Sequence, residues 1–343
     1  MKLIQNRITR IFICFLITLG AVQFTSAEIS LGDGLNSKSI IIEKQALFPE
    51  DLKYDPYSDR FIVGSFREGA VYAISMDGAY EQLIDDPRLH SVLGIQIDFE
   101  RDKIFVTSSD IGSSHRPFPG GPNKAAFLGV YRFSTGEPID FINLAALSPN
   151  DNHLANGIAL DSEGNTYITD SFSPRIYKVD MDGNASTFLE GDVFRGKGIN
   201  LNGIVYHPDG YLITIKKSDG TLYKIPIDSP SSFSAIDTPR TFVGGDGLIL
   251  TDNNDLIVIA NQASGKITET VFSLKSKDHW GSAEVVEKYT FDPVYLTTGA
   301  VRNDEIFVLH SNINSLVTAP HEMKGTLSNR ATIQKVGTIS RRQ

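Results

Sequence analysis

Apolar and polar positions alternate along this chain in short runs, and clusters of Asp, Asn and Gly separate the runs. Stretches such as "AVYAISMDG" (70–78), "RIYKVDMDG" (175–183) and "TLYKIPI" (221–227) show the period of two that marks a strand with one buried face. The 3.6-residue period of an amphipathic helix is nearly absent. The pattern predicts an all-β chain.

The strands recur in a fixed order. "NGIALDSEGNTYITDS" from 156, "NGIVYHPDGYLITIKKS" from 202 and "DGLILTDNNDLIVIAN" from 246 each read as a strand, a polar turn and a second apolar strand. Aligned on their first residues, the copies are "EDL" at 50–52, "LGI" at 93–95, "NGI" at 156–158, "NGI" at 202–204, "DGL" at 246–248 and "TGA" at 298–300, with steps of 43, 63, 46, 44 and 52 residues. A period of roughly 40 to 50 residues indicates a solenoid or propeller. Six copies of four short antiparallel strands predict a six-bladed β-propeller, one domain over 38–340, in which "KSIIIEKQALF" at 38–48 completes the last blade and closes the ring. Two stretches exceed the repeat, "DIGSSHRPFPGGPNKAAF" at 110–127 and "NINSLVTAPHEMKGTLSNR" at 312–330. Both fall between the second and third strands of a blade, at the end where the inner strands begin. They are expected to overhang the channel mouth as lids, the alternative being disordered surface loops.

The N-terminus interrupts this pattern. Lys2, Arg7 and Arg10 precede an apolar stretch over 11–22, and Thr25-Ser26-Ala27 follows, the layout of a secretory signal cut after Ala27. Twelve apolar residues fall short of the roughly 20 that span a bilayer, so a retained anchor is the lesser alternative. The reading implies a secreted or periplasmic protein with no membrane attachment after cleavage. The one cysteine, Cys14, lies within this segment, so disulfides do not hold the mature domain. The formal charge of −9 becomes −12 once the three basic residues of 1–27 leave, which argues against nucleic acid as a partner.

Inner strands of a propeller line its channel, so one repeat register forms a ring: Glu50, Leu93, Asn156, Asn202, Asp246 and Thr298. The following glycine is expected to bend the backbone with φ > 0, as in tight turns, and so to aim the preceding residue down the axis. Two carboxylates and two amides then converge. Without His or Cys, this oxygen-only set suits one divalent hard cation, calcium before zinc, held by Glu50, Asn156, Asn202 and Asp246. In the alternative reading each residue caps its own turn, although Glu50 is a poor turn residue.

The ring and the repeats around it resemble the regucalcin and gluconolactonase family of six-bladed propellers. In that resemblance Glu50 matches the family's metal-binding Glu, Asn156 its Asn-Gly ligand and Asp246 its Asp-Gly ligand. Asn202 matches the additional Asn of bacterial drug-responsive lactonases and paraoxonases. The resemblance implies an exported calcium-dependent hydrolase of lactones or related esters, with Asp246 or Glu50 helping to activate water. Departures are clear: Leu93 stands where paraoxonases have His, and the family's substrate-contacting Asn and Arg of the second blade have no match. Plant strictosidine synthases share the fold and use a glutamate without metal, so a metal-free enzyme with Glu50 as acid or base and a non-catalytic binding propeller are the rival readings. No HExxH, G-x-S-x-G or phosphate-loop pattern occurs. His115 and His321 in the insertions and His310 at a strand end are candidates to touch substrate.

Overall fold

The computed structural model describes residues 27–341, apart from 33–37, 264, 293, 328 and 329. The expected signal segment lies outside the described residues up to its last residue, Ala27. Six antiparallel sheets form the single domain, five of them with four strands in sequence order. The inner strands are Pro49–Asp55, Ser91–Asp98, Ala155–Leu160, Leu201–His207, Gly245–Leu250 and Leu296–Arg302. The fold is the six-bladed β-propeller that the repeat predicts.

Blade 6 closes the ring. Its third strand, Ala331–Arg341, pairs with Glu305–His310 on one side and on the other with Ser39–Ile42, the strand expected to complete this blade. A further strand, Ala27–Leu31, continues along the same edge, so two N-terminal segments lie end to end on one long strand. The hydrophobic core sits between blades rather than within them, because both faces of each sheet carry apolar side chains. At the joint between blades 6 and 1, Ile42, Leu52, Phe61, Phe307 and Ile333 are all fully buried, and the Phe61 and Phe307 rings lie 5.2 Å apart.

One irregularity repeats in every inner strand. The pairing with the second strand skips two residues between Pro49 and Leu52, Val92 and Ile95, Ala155 and Ile158, Leu201 and Ile204, Gly245 and Leu248, and Leu296 and Gly299. A bulge of this kind releases residues from the ladder and re-aims their side chains. Here the released pairs are Glu50-Asp51, Leu93-Gly94, Asn156-Gly157, Asn202-Gly203, Asp246-Gly247 and Thr297-Thr298. The ring member of blade 6 is therefore Thr297, one residue before the Thr298 that alignment on glycine gave.

The glycines also have a different reason from the one expected. None of Gly94, Gly157, Gly203 and Gly247 has a positive φ. They are small because adjacent inner strands approach closely at the narrow channel: a Cβ on Gly94 would stand 2.2 Å from the Asn156 carbonyl oxygen, on Gly157 2.6 Å from that of Asn202, and on Gly203 2.4 Å from that of Asp246. Second-strand threonines pin the bulges. Thr107 Oγ1 accepts from Gly94 N at 2.6 Å and donates to the Asn156 carbonyl at 2.7 Å, while Thr169 does the same for Gly157 and Asn202 at 3.0 and 2.7 Å.

The two insertions are folded, which removes the disordered-loop alternative for their described residues. The second contains a short helix, Ile313–Thr318, and a 3₁₀ turn, His321–Thr326. Lys324 Nζ donates to the Gly112 carbonyl at 3.0 Å and Ser113 Oγ at 2.8 Å, tying this insertion to the first. Beneath them Phe48, Phe66, Leu93, Leu154, Ile313 and Leu316 form an apolar plug. Among the described residues no helix is long and apolar enough to cross a membrane.

Candidate functional site

The bulges bring Glu50, Asn156, Asn202 and Asp246 together around a cavity of about 30 Å³, which Thr297 also lines. Asn156, Asn202, Asp246 and Thr297 are buried, while Glu50 keeps partial exposure to the channel. Leu93 belongs to the plug above instead.

Asp246 is held on both oxygens. Its Oδ1 accepts from Asn202 Nδ2, and its Oδ2 accepts from Asn261 Nδ2 and lies 2.9 Å from Lys217 Nζ. The Lys217 ammonium in turn donates to Asn261 Oδ1, and Asn261 Nδ2 reaches the Leu296 carbonyl at 2.6 Å. A buried carboxylate with a buried ammonium and two amides is a satisfied network. Asn156 Nδ2 donates to Ser171 Oγ at 3.1 Å. Asp51, in the place of the glycine of blades 2 to 5, accepts from Ile95 N at 2.7 Å and pairs with Lys53 at 3.1 Å.

Glu50 differs from all of these, for its carboxylate accepts no hydrogen bond from the described residues. Burial raises its pKa well above the usual carboxylate range, and the negative charges of Asp246 and then Asp51 add to the effect, against smaller lowering by Lys217 and Lys53. Tyr295, whose ring lies 5.8 Å from Lys217 Nζ, has its phenol pushed up by burial and by the Asp246, Glu50 and Glu269 charges.

The donor set fits a hard cation. The Glu50 carboxylate is unpartnered, Thr297 Oγ1 is buried without a hydrogen bond, and the cavity between them has the volume of one ion or water. A half-turn of the Asn202 amide would set its Oδ1 against Asp246 Oδ1, an apposition of oxygens that only a cation makes favourable. Lys217 occupies the other oxygen of Asp246 and contributes one positive charge, which would weaken calcium binding relative to two unpaired carboxylates. No group of three His, Cys, Asp or Glu arranged for a metal occurs among the described residues, since two of the four ring donors here are amides.

No protein-family model matches the chain, and no curated protein does. Solved structures do. The major allergen Mala s 1 of Malassezia sympodialis superposes with a TM-score of 0.66 at 16% identity, covering 87% of this chain and 96% of that one. A luciferin-regenerating enzyme gives 0.57 at 13% identity, over 86% and 95%, and a presumed gluconolactonase 0.57 at 12%, over 91% and 99%. They share its six-bladed fold. At these identities the likeness extends to architecture, and the chemistry has to be argued from the ring.

The sequence did not single out Lys217, Asn261 or Thr297. Thr297 was passed over because alignment on glycine chose Thr298, while Lys217 and Asn261 stand at the second-strand position that Ser171 holds in blade 3, one residue past the partners of Leu201 and Gly245. The histidines lie elsewhere. His115 and His321 are exposed on the insertions. His310 packs edge-on to Phe291 with ring centres 5.3 Å apart and does not line the ring cavity.

Proposed function

We propose that the chain is an exported, calcium-dependent hydrolase of lactones or related esters, acting at the Glu50–Asn156–Asn202–Asp246 ring. The observation that carries the reading is the unpartnered Glu50 carboxylate, its pKa raised, facing Asp246 and two amides across a cavity of one ion's volume. A calcium ion held there would supply a Lewis acid for the substrate carbonyl. Lys217 and Asn261 hold Asp246 Oδ2, and once the Asn202 amide turns, Oδ1 is given to the ion, so Asp246 serves as a ligand and not in proton transfer. Glu50, the ring carboxylate that accepts no hydrogen bond from the described residues, is then the group placed to take the proton from the attacking water. The neighbours' names, a luciferin-regenerating enzyme and a presumed gluconolactonase, are compatible with this chemistry.

The Lys217–Asp246 pair favours a second reading, a metal-free enzyme in which Lys217 supplies the positive charge and Glu50 acts as acid or base. Calcium decides between them. In the first reading calcium raises the melting temperature of the parent, Asp246→Asn and Glu50→Gln abolish that rise, Asn156→Ala weakens it less, and chelation stops lactone hydrolysis until calcium is restored. Turnover indifferent to chelator would leave the metal-free reading. Calcium binding without turnover on any lactone or ester would leave a binding protein.

A further inference from the structure

Arg67 stands on the turn between the second and third strands of blade 1, at the end of the channel where the two insertions meet. It is 8% exposed, and Lys324 of the second insertion is 9% exposed. Both donate to Ser113 of the first insertion, Arg67 Nη1 to its carbonyl and Lys324 Nζ to its hydroxyl, each at 2.8 Å. Two buried cations thus converge on one residue, and neither forms an ion pair among the described residues. Buried charges are ordinarily paired.

The carboxylates near this corner are committed elsewhere. Asp110 accepts from Gly112 N at 2.7 Å and from Phe118 N at 2.8 Å, while Glu68 is shared by Lys44 and Tyr72. Glu322, two residues before Lys324, is exposed and pairs with neither cation. Burial lowers the Lys324 pKa and the Arg67 charge lowers it further, against a smaller opposing effect of Asp110.

The orientation of Arg67 is specific. With Nη1 held by Ser113, the guanidinium edge formed by Nε and Nη2 donates to nothing among the described residues, and unlike Arg175 Nε it is not sealed from solvent. Elsewhere in this chain the same edge grips a carboxylate twice. Arg88 Nε and Nη2 reach the two oxygens of Asp86 at 3.0 and 2.6 Å, and those of Arg302 reach the two of Asp59 at 2.7 and 2.9 Å. This planar fork matches a carboxylate in shape and in charge. Water can satisfy the two N–H groups but does not offset the two positive charges.

We infer that the Nε–Nη2 edge of Arg67 is a receptor for a carboxylate of a small-molecule ligand, and that the Lys324 ammonium beside it favours a dicarboxylate. Neither residue lines the ring cavity, so the inference stands apart from the hydrolase reading. Arg67 belongs to blade 1 and Lys324 to the insertion of blade 6, so a ligand held by both charges should also raise the melting temperature.

Calorimetry at constant ionic strength on the chain beginning at Glu28, without calcium, tests this with succinate, acetate, dimethyl succinate and inorganic phosphate as probes. Succinate is expected to bind, acetate about tenfold more weakly, and dimethyl succinate not at all. Arg67→Lys keeps the charge but loses the fork, and should weaken succinate at least tenfold. Lys324→Gln keeps a donor toward Gly112 and Ser113 and should weaken succinate about fivefold, which guards against misfolding of the first variant. Lys197→Gln is the control, because it removes an exposed cation from the loop before the inner strand of blade 4 and should change nothing. The inference is overturned if succinate neither binds nor raises the melting temperature, if Arg67→Lys binds it as the parent does, or if Lys197→Gln costs as much as Lys324→Gln. Acetate binding as tightly as succinate removes the dicarboxylate, and phosphate binding where no carboxylate does removes the class.

Discussion

His310 shows how burial alone sets the behaviour of a side chain in this fold. Its Nε2 is buried without a hydrogen bond and its ring rests against Phe291, so nothing compensates the imidazolium. Burial pushes its pKa down to about 4 from the ordinary 6.5. Above pH 6.5 the ring is neutral in folded and unfolded chains alike. As the pH falls from 6.5 to 4 the unfolded chain takes up a proton that the folded one refuses, so stability is lost through that window, up to about 3 kcal/mol. His310→Leu is therefore expected to lose less stability than the parent between pH 7 and pH 4.5 in urea unfolding. Equal losses in the two proteins would show that His310 is hydrated. The candidate substrate role does not follow from its position, because the ring cavity is lined by other residues.

At the scale of the element, the repeated bulge explains both what was legible in the sequence and what was not. Six openings at steps of 43 to 63 residues were visible because every inner strand needs the same release from its ladder and four of them need a glycine where strands crowd. The alignment slipped by one residue in blade 6, where Thr297-Thr298 takes the place of a polar residue and glycine, and Gly299 follows. Turn chemistry was the wrong reason for the glycines. Close approach predicts something different from a turn: Gly203→Ala places a methyl 2.4 Å from the Asp246 carbonyl oxygen and 2.9 Å from Leu248 N, both backbone atoms of a packed neighbour. A cost of about 2–3 kcal/mol is expected, together with a weakened calcium response because Asp246 must shift. Gly210→Ala is the control. It has φ +86° but open space around a Cβ, so only backbone strain of about 1 kcal/mol applies and the calcium response stays intact. Chemical unfolding and calcium-induced thermal shifts of the two variants check this, and equal effects would return the glycines to the turn explanation. Lys217 and Asn261 were not legible by spacing, since a lysine or asparagine toward the end of a second strand reads as an ordinary solvated position until the ring places both over Asp246.

For the whole molecule the question is how a ring of six sheets stays shut, and the answer lies in two segments near the N-terminus. Ser39–Ile42 pairs with residues 331–334 and buries Ile40 and Ile42 at the joint with blade 1, in the cluster that holds Leu52, Phe61 and Phe307. Ala27–Leu31 pairs with residues 337–341 and buries Ile29 against Val308 and Ile339. A cut after Ala27, as the sequence suggests, would leave residues 28–31 of that outer strand in place. The two segments should differ in weight. Each buried isoleucine contributes about 1.5–3 kcal/mol, but only the inner segment supports the contact between the first and last blades, on which all the other inter-blade packing depends. A chain beginning at residue 38 should therefore fold and melt a few degrees lower than one beginning at Glu28, because it loses one buried isoleucine and an edge strand. A chain beginning at residue 44 should lose cooperative unfolding, because it exposes Leu52 and Phe61 along an open seam and leaves residues 331–334 with a partner strand on one side only. Thermal melts of the three chains followed by circular dichroism separate these outcomes. An unchanged melting temperature in the shortest chain would mean that blades 1 and 6 hold together without a strand borrowed from the other end of the sequence.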